Sequence, residues 1–281
     1  MLRSKGGFAG VVCMLGLAAT GCPNPNTYGT PRTVPKGRVA HTIAAEGVGY
    51  RLTRRDEYVS ESEPKSVATT IPVMPSYMLR VGILDRLDFG FRAANFTSLG
   101  VDLKANVLRT PSFDLAVDPM VQWAGLVVDT THLHLPLLIG VNLSDSFSIV
   151  ATPGIMYATS NLDNEEGLKD IEQLMGTTGF SMRFGLGFDA RVSKKFAVHP
   201  EITFLRALNP PTDTVFKDVT IFVFGVGFNL GALPDYSDVG GSAEPQAERA
   251  PPSAAPLPAA TPATTPAPAA APAPIAPAAT P

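Results

Sequence analysis

Residues 178–192, TGFSMRFGLGFDARV, alternate between apolar and polar side chains without a break. Only a β-strand places neighbouring side chains on opposite faces in this way. One face of the run carries three Phe and no charge, whereas the other carries Arg183, Asp189, Arg191 and two glycines. Such a strand is typical of a barrel wall with hydrocarbon outside and polar groups inside.

The same two-residue period recurs between Arg38 and Ala232 and predicts about ten strands. Their predicted ranges are 39–54, 70–84, 86–95, 98–109, 112–124, 131–143, 146–158, 178–192, 195–207 and 218–231. The sequence therefore predicts an all-β fold, an antiparallel up-and-down transmembrane β-barrel of about 10 strands (range 8–12), over residues 39–232.

The lengths of the connections also alternate. Short links follow the second, fourth, sixth and eighth strands, and long links at 55–69, 125–130, 159–177 and 208–217 follow the first, fifth, seventh and ninth, with a short link after the third. Because outer-membrane barrels have short periplasmic turns and longer outer loops, this pattern predicts that both termini are periplasmic. Within 159–177, Leu168, Ile171, Leu174 and Met175 have helical spacing, which predicts a short amphipathic helix at the outer mouth.

The N-terminus has the features of an export signal over residues 1–21, because Arg3 and Lys5 precede an apolar run too short to span a bilayer. Ala19-Thr20-Gly21-Cys22 resembles the lipobox of bacterial lipoproteins, which implies lipid attachment at Cys22. The alternative is an ordinary signal peptide cut near Ala19 or Gly21. The Pro/Asn-rich residues 22–38 are predicted to be a linker that spaces a lipid anchor from the barrel.

The C-terminal segment 233–281 becomes almost purely Ala, Pro and Thr from about Ser242 and is predicted to be a disordered tail. Before it, residues 225–230, GVGFNL, resemble the C-terminal signal read by the barrel-assembly machinery. With the lipobox and the loop pattern, the chain resembles small bacterial outer-membrane β-barrels of the OmpA/OmpW-like type. The resemblance implies an outer-membrane location, surrounding outer-membrane lipid, assembly by that machinery, and periplasmic or cell-wall contacts of the tail.

A soluble lipid-anchored barrel is the alternative fold, because it shows the same alternation with the apolar face inside. Trp123, Tyr157 and Tyr77 lie near strand ends on the apolar faces, which favours an aromatic girdle at a membrane interface. Glycines on the polar faces fit a crowded barrel interior: Gly82, Gly90, Gly100, Gly140, Gly154, Gly185 and Gly187.

The predicted inner face carries five bases and six acids: Arg80, Arg92, Lys104, Arg183, Arg191, Asp88, Asp102, Asp114, Asp118, Asp189 and Glu201. Their near balance predicts an internal salt-bridge network that closes the lumen, and the alternative is a narrow charged conduit. About ten strands enclose too little space for a general porin.

His132 and His134 are candidate metal ligands, because residues two apart on a strand point to the same side. No third ligand is evident, which favours a pair of rim or lumen histidines. We find no catalytic set, no cofactor motif and no basic patch for nucleic acid. The predicted function is a non-enzymatic outer-membrane barrel with a structural or binding role through its outer loops or tail. The alternatives are a narrow transport channel for small solutes or ions, and a soluble periplasmic β-barrel.

Overall fold

The computed structural model describes residues 24–56, 66–94, 98–124, 130–160, 179–208 and 216–239. They form eleven strands: β1 (Val39–Arg54), β2 (Ser66–Leu84), β3 (Leu87–Ala94), β4 (Ser98–Arg109), β5 (Phe113–Val117), β6 (Met120–Ala124), β7 (Thr130–Ser144), β8 (Phe147–Ser160), β9 (Gly179–Ser193), β10 (Phe196–Ala207) and β11 (Phe216–Gly231). The predicted signal segment, Cys22, the predicted loop helix and the tail beyond residue 239 lie outside the described residues. Among the described residues, no helix is long and apolar enough to cross a membrane.

The strands close into a barrel because β1 pairs antiparallel with both β2 and β11. Strands β5 and β6 both lie between β4 and β7, so they share one position and the barrel has ten. The interruption falls at Asp118 and Pro119, and Pro119 has no backbone N–H to donate to a neighbouring strand. The predicted fold and strand number are confirmed.

The outer face of the barrel is apolar. On β9, Phe184 is 51% exposed, whereas the adjacent Arg183 is 2% exposed. Large apolar side chains are exposed on every strand, among them Ile43, Tyr77, Phe89, Leu103, Phe113, Trp123, Leu135, Tyr157, Phe204 and Phe228. A soluble barrel needs the opposite arrangement, so the structure contradicts that alternative.

The two ends of the barrel differ. Links of two or three residues, at 85–86, 110–112, 145–146 and 194–195, lie at one end, which we call the turn end. Strand β1 begins there and β11 ends there, since Ala40 pairs with Gly231. We call the opposite end, where β1 ends at Arg54 and β11 begins at Phe216, the loop end.

Candidate functional site in the barrel lumen

Residues 24–35 lie inside the barrel, and we call them the plug. All of them are buried except Gly29 and Pro35, which are half-buried. The prediction that residues 22–38 form a spacer outside the fold is therefore wrong for the plug. The wall of the lumen binds this segment by hydrogen bonds along its length.

Wall side chains bind the backbone carbonyls of the plug. Arg92 Nη1 donates to the carbonyls of Asn24 and Asn26 at 3.2 and 2.9 Å, and Arg183 Nη2 donates to that of Pro25 at 2.6 Å. Three more wall side chains donate to plug carbonyls toward the turn end. Asn229 donates to the carbonyl of Tyr28 at 3.0 Å and Lys104 to that of Thr30 at 3.0 Å. Asn106 donates to the carbonyl of Pro31 at 3.1 Å. These donors replace the water that an exposed chain of this composition would bind.

Wall side chains also accept hydrogen bonds from the backbone N–H groups of the plug. The Glu201 carboxylate accepts from Thr27 at 2.9 Å and from Tyr28 at 2.6 Å. Asp88 accepts a hydrogen bond from the N–H of Val34 at 2.9 Å, and Gln122 Oε1 accepts one from the N–H of Asn24 at 3.2 Å. The plug prolines at 25, 31 and 35 have no N–H, which lowers the number of donors that the lumen must satisfy.

Glycines in the wall make room for the plug. A Cβ atom at Gly227 would lie 2.8 Å from Tyr28 Cβ, and one at Gly140 would lie 2.9 Å from Pro31 Cδ. Tyr28 itself has a φ of 45°, in the left-handed region that residues with a Cβ rarely adopt. Because Glu201 and Asn229 bind its N–H and its carbonyl, this bend is held by the wall on both sides.

The structure places all eleven predicted lumen charges on the inner face and divides them between two roles. Arg80 pairs with Asp88, with Asp102 at 2.6 Å and with Asp118 at 3.2 Å. Other wall pairs are Lys104–Asp88 at 3.4 Å, Arg92–Asp102 at 3.7 Å and Arg191–Asp189 at 2.9 Å. Arg92, Lys104, Arg183, Glu201, Asp88 and Asp114 bind plug residues. The lumen is thus closed by the plug and by wall ion pairs together.

Sequence reasoning missed several polar residues of the site: Arg32, Glu46, Asn106, Gln122, His199 and Asn229. Glu46 is buried on the inner face of β1 and accepts from Asn24 Nδ2 at 2.8 Å through both of its oxygens. The two-residue alternation of β1 is the sequence signal that could have placed Glu46 on the inner face. Arg32 lies in a segment without periodicity, so the sequence offers no comparable signal for it.

Residues 233–239, which we call the latch, pack across the turn end. The guanidinium carbons of Arg32 and Arg191 lie 4.2 and 3.5 Å from the centre of the Tyr236 ring. Arg32 also donates to the Asp235 carbonyl at 2.7 Å and to Asp238 Oδ2 at 3.2 Å. The prediction of a disordered tail from residue 233 is therefore wrong for the latch, since Tyr236 is buried between two cations.

Toward the loop end, the lining of the lumen changes from polar to apolar. Nine buried residues, which we call the apolar collar, form one cluster there: Val48, Tyr50, Leu52, Met156, Ala158, Leu205, Val219, Ile221 and Val223. His132 and His134 border the collar and are 1% and 2% exposed. None of their four ring nitrogens has a hydrogen-bond partner. Within the part of the chain that the structure describes, no three potential metal ligands come together.

Acid is expected to loosen the latch. Partial burial raises the pKa of Asp238, but the hydrogen bonds and positive charge of Arg32, together with the charge of Arg109, lower it by more, so the net pKa lies below the ordinary value of 3.8. The contact therefore stabilises the latch above about pH 4, the unfolded pKa, and is lost as pH falls through the lower folded value. The protection factors of the latch amides in detergent, taken relative to the intrinsic exchange rate at each pH, should fall below pH 4 in the wild type. The same acid-dependent loss of protection should be absent from Asp238→Asn.

No protein-family model matches the sequence, and no curated protein matches it. Solved structures with a similar fold include the outer membrane protease OmpT from Escherichia coli, with 8% identity and a TM-score of 0.40 over 71% of this chain and 98% of that one. The attachment invasion locus protein Ail of Yersinia pestis has 8% identity and a TM-score of 0.31 over 70% of this chain and 99% of that one. The N-terminal β-barrel domain of Pseudomonas aeruginosa OprF has 10% identity and a TM-score of 0.30 over 69% of this chain and 98% of that one. With such low identities and scores, these likenesses add nothing to the barrel architecture that the strands already show.

Proposed function

We propose that this protein is a non-enzymatic outer-membrane barrel with a closed lumen, and that its role is structural or binding. The observation that carries the proposal is the hydrogen bonding of the plug, whose carbonyls and N–H groups are bound along its length by wall side chains. A band of exposed apolar side chains around the outside supports a bilayer as its surroundings.

The loops and the tail are then the parts that meet partners. Short turns are periplasmic in outer-membrane barrels, which supports a loop end that faces outside the cell and a periplasmic latch and tail. The 40 residues from Ser242 to Pro281 would reach about 120 Å as an extended Pro-rich chain. That length supports contact between the tail and the cell wall. The alternating pattern at residues 225–230, with Phe228 and Leu230 exposed on the outer face, supports delivery by the barrel-assembly machinery.

A narrow transport channel is less well supported. The cavity between the plug and the wall, beside Tyr28, Thr30 and Met78, has a volume of about 50 Å³. A cavity of this size holds only a few waters. Passage of a solute would require the plug to leave the lumen.

Planar-bilayer recording tests this proposal. We expect the wild-type protein to give no unitary current across the bilayer, because the plug occupies the lumen and is bound to its wall. Folding of the same sample is checked by heat-modifiable mobility, since a closed barrel stays compact in detergent until it is boiled. Regular unitary currents from folded wild-type protein would overturn the proposal and favour the channel.

A further inference from the structure

A groove crosses the outer face of the barrel where β5 and β6 share one strand position. Pro119 and Val121 form its centre. Both face outward, since Met120 between them is buried on the inner face. Pro119 lies against β4, because the N–H of Leu103 donates to its carbonyl at 3.1 Å. Proline and valine have short side chains, so the wall is low along this line.

Larger side chains stand on both sides of Pro119. Leu103 of β4 and Leu135 of β7 are its neighbours in the sheet, and both are exposed on the outer face. Five more large apolar side chains continue these walls: Phe89, Leu133, Ile155, Tyr157 and Phe180. We call the resulting depression the apolar groove. Its volume is about 530 Å³, within the range of about 300–1,000 Å³ that is usual for small-molecule sites.

The apolar groove opens on the surface of the barrel that faces hydrocarbon. Among the described residues that line it, the outward-facing ones carry no charge, and Asp102 and His134 belong to its floor, with their side chains buried on the inner face. Water is a poor occupant, because it needs several polar partners. An empty groove would leave the lining side chains without contacts and forfeit their dispersion energy. The occupant is therefore apolar and is supplied by the surrounding lipid.

Two aromatic residues mark the loop-end edge of the apolar groove. Trp123 is exposed on the same face as Val121, two residues closer to the loop end. The Tyr157 ring packs against Phe180, with their centroids 4.9 Å apart. Trp and Tyr side chains favour the level of the lipid headgroups, because one end of the ring is apolar and the other is polar. A lipid with its headgroup at this level extends its chain toward Pro119.

We propose that the apolar groove binds one acyl chain of a lipid from the leaflet at the loop end. A chain in the groove contacts protein along its floor and both walls, whereas a chain on the rest of the outer face contacts protein on one side. The additional van der Waals contact favours the groove over the remaining surface. The inference rests on the proposed membrane surroundings and adds a defined lipid site to them.

Native mass spectrometry of the full-length protein tests the site. Barrels are reconstituted in palmitoyl-oleoyl phosphatidylcholine vesicles and extracted into mild detergent, and folding is checked by heat-modifiable mobility. We expect the wild type to retain one lipid per barrel. Val121→Phe places a larger side chain in the groove and should lose this lipid. The matched control Val141→Phe makes the same change on the outer face of β7, away from the groove, and should retain it.

Three results of this experiment would overturn the proposal. The first is a folded wild-type barrel that retains no lipid, and the second is equal retention by the wild type and Val121→Phe. The third is loss of the lipid from Val141→Phe, because retention would then depend on the outer face in general.

Photo-cross-linking in intact vesicles locates the bound chain. A phosphatidylcholine with a diazirine in one acyl chain is expected to label the peptides of Val121 and Leu135 more strongly than those of Phe224 and Phe228, which are also exposed on the outer face. Uniform labelling around the barrel would mean contact with bulk lipid only and would contradict the inference. Neither test depends on the lumen, so failure here leaves the closed-barrel proposal intact, and unitary currents in the bilayer experiment leave the lipid site intact.

Discussion

Deletion of residues 24–35 is expected to convert a silent barrel into an open pore. Without the plug, the carbonyl-binding groups Arg92, Arg183 and Lys104 lose their partners and recruit water instead. Regular unitary currents in planar bilayers, where the wild type gives none, are the expected result. The barrel should still assemble, because every strand begins after residue 38.

The charge of the vacated lumen predicts the selectivity of this pore. Among the described residues, seven carboxylates line the inner face, the six predicted ones and Glu46, against five Arg and Lys side chains, so the net charge of this lining is −2. Acidic linings favour cations. The reversal potential in a salt gradient should therefore show a preference for K⁺ over Cl⁻.

A deletion of equal length in the tail provides the matched control. Loss of residues 270–281 removes twelve residues far from the lumen in sequence and should leave the barrel silent. If the barrel without its plug also stays silent while remaining heat-modifiable, the wall side chains close the lumen by themselves. In that case the plug would not be the closing element.

The strands were predictable because each one obeys a local rule. The two-residue period of Phe180 to Val192 follows from one face meeting lipid and the other meeting the lumen, and it is visible in any window of six residues. Predicted ends therefore fall close to the observed ones, as for β1 and β4. Which face points outward is a property of the closed barrel, and the structure decided it.

The plug was not predictable because nothing local specifies it. Its Pro, Asn and Thr residues have the composition of an exposed linker, and its conformation depends on wall residues 22 to 201 positions away, such as Glu46 and Asn229. The inner face does show a surplus of polar side chains, but a salt-bridge network satisfies that pattern equally well. Only the folded barrel shows that Arg92, Arg183 and Glu201 bind backbone groups of the plug.

The substitution Arg32→Ala is expected to cause the largest loss of stability of any single change in the plug. Arg32 is 1% exposed and joins three parts of the molecule: Asp114 of the wall at 2.7 Å, the latch at Asp235 and Asp238, and the turn residue Thr110 at 2.9 Å. Removing one partner of a buried ion pair costs about 3–5 kcal/mol. We expect a loss near the lower end of this range, because Asn142 still donates a hydrogen bond to the Asp114 carboxylate at 2.7 Å.

Reversible urea unfolding in the presence of lipid vesicles measures that cost, and three variants separate its causes. Arg32→Lys keeps the charge but offers one nitrogen where the guanidinium reaches four partners, so it should recover only part of the loss. Asp238→Asn removes a partner that is 40% exposed and should cost less than about 1 kcal/mol. Adding Asp114→Asn to Arg32→Ala should restore stability, because the buried carboxylate that was left unpaired is then neutral. If Arg32→Ala costs no more than Asp238→Asn, then Arg32 contributes through the exposed latch alone, and the buried pair does not fix the plug to the wall.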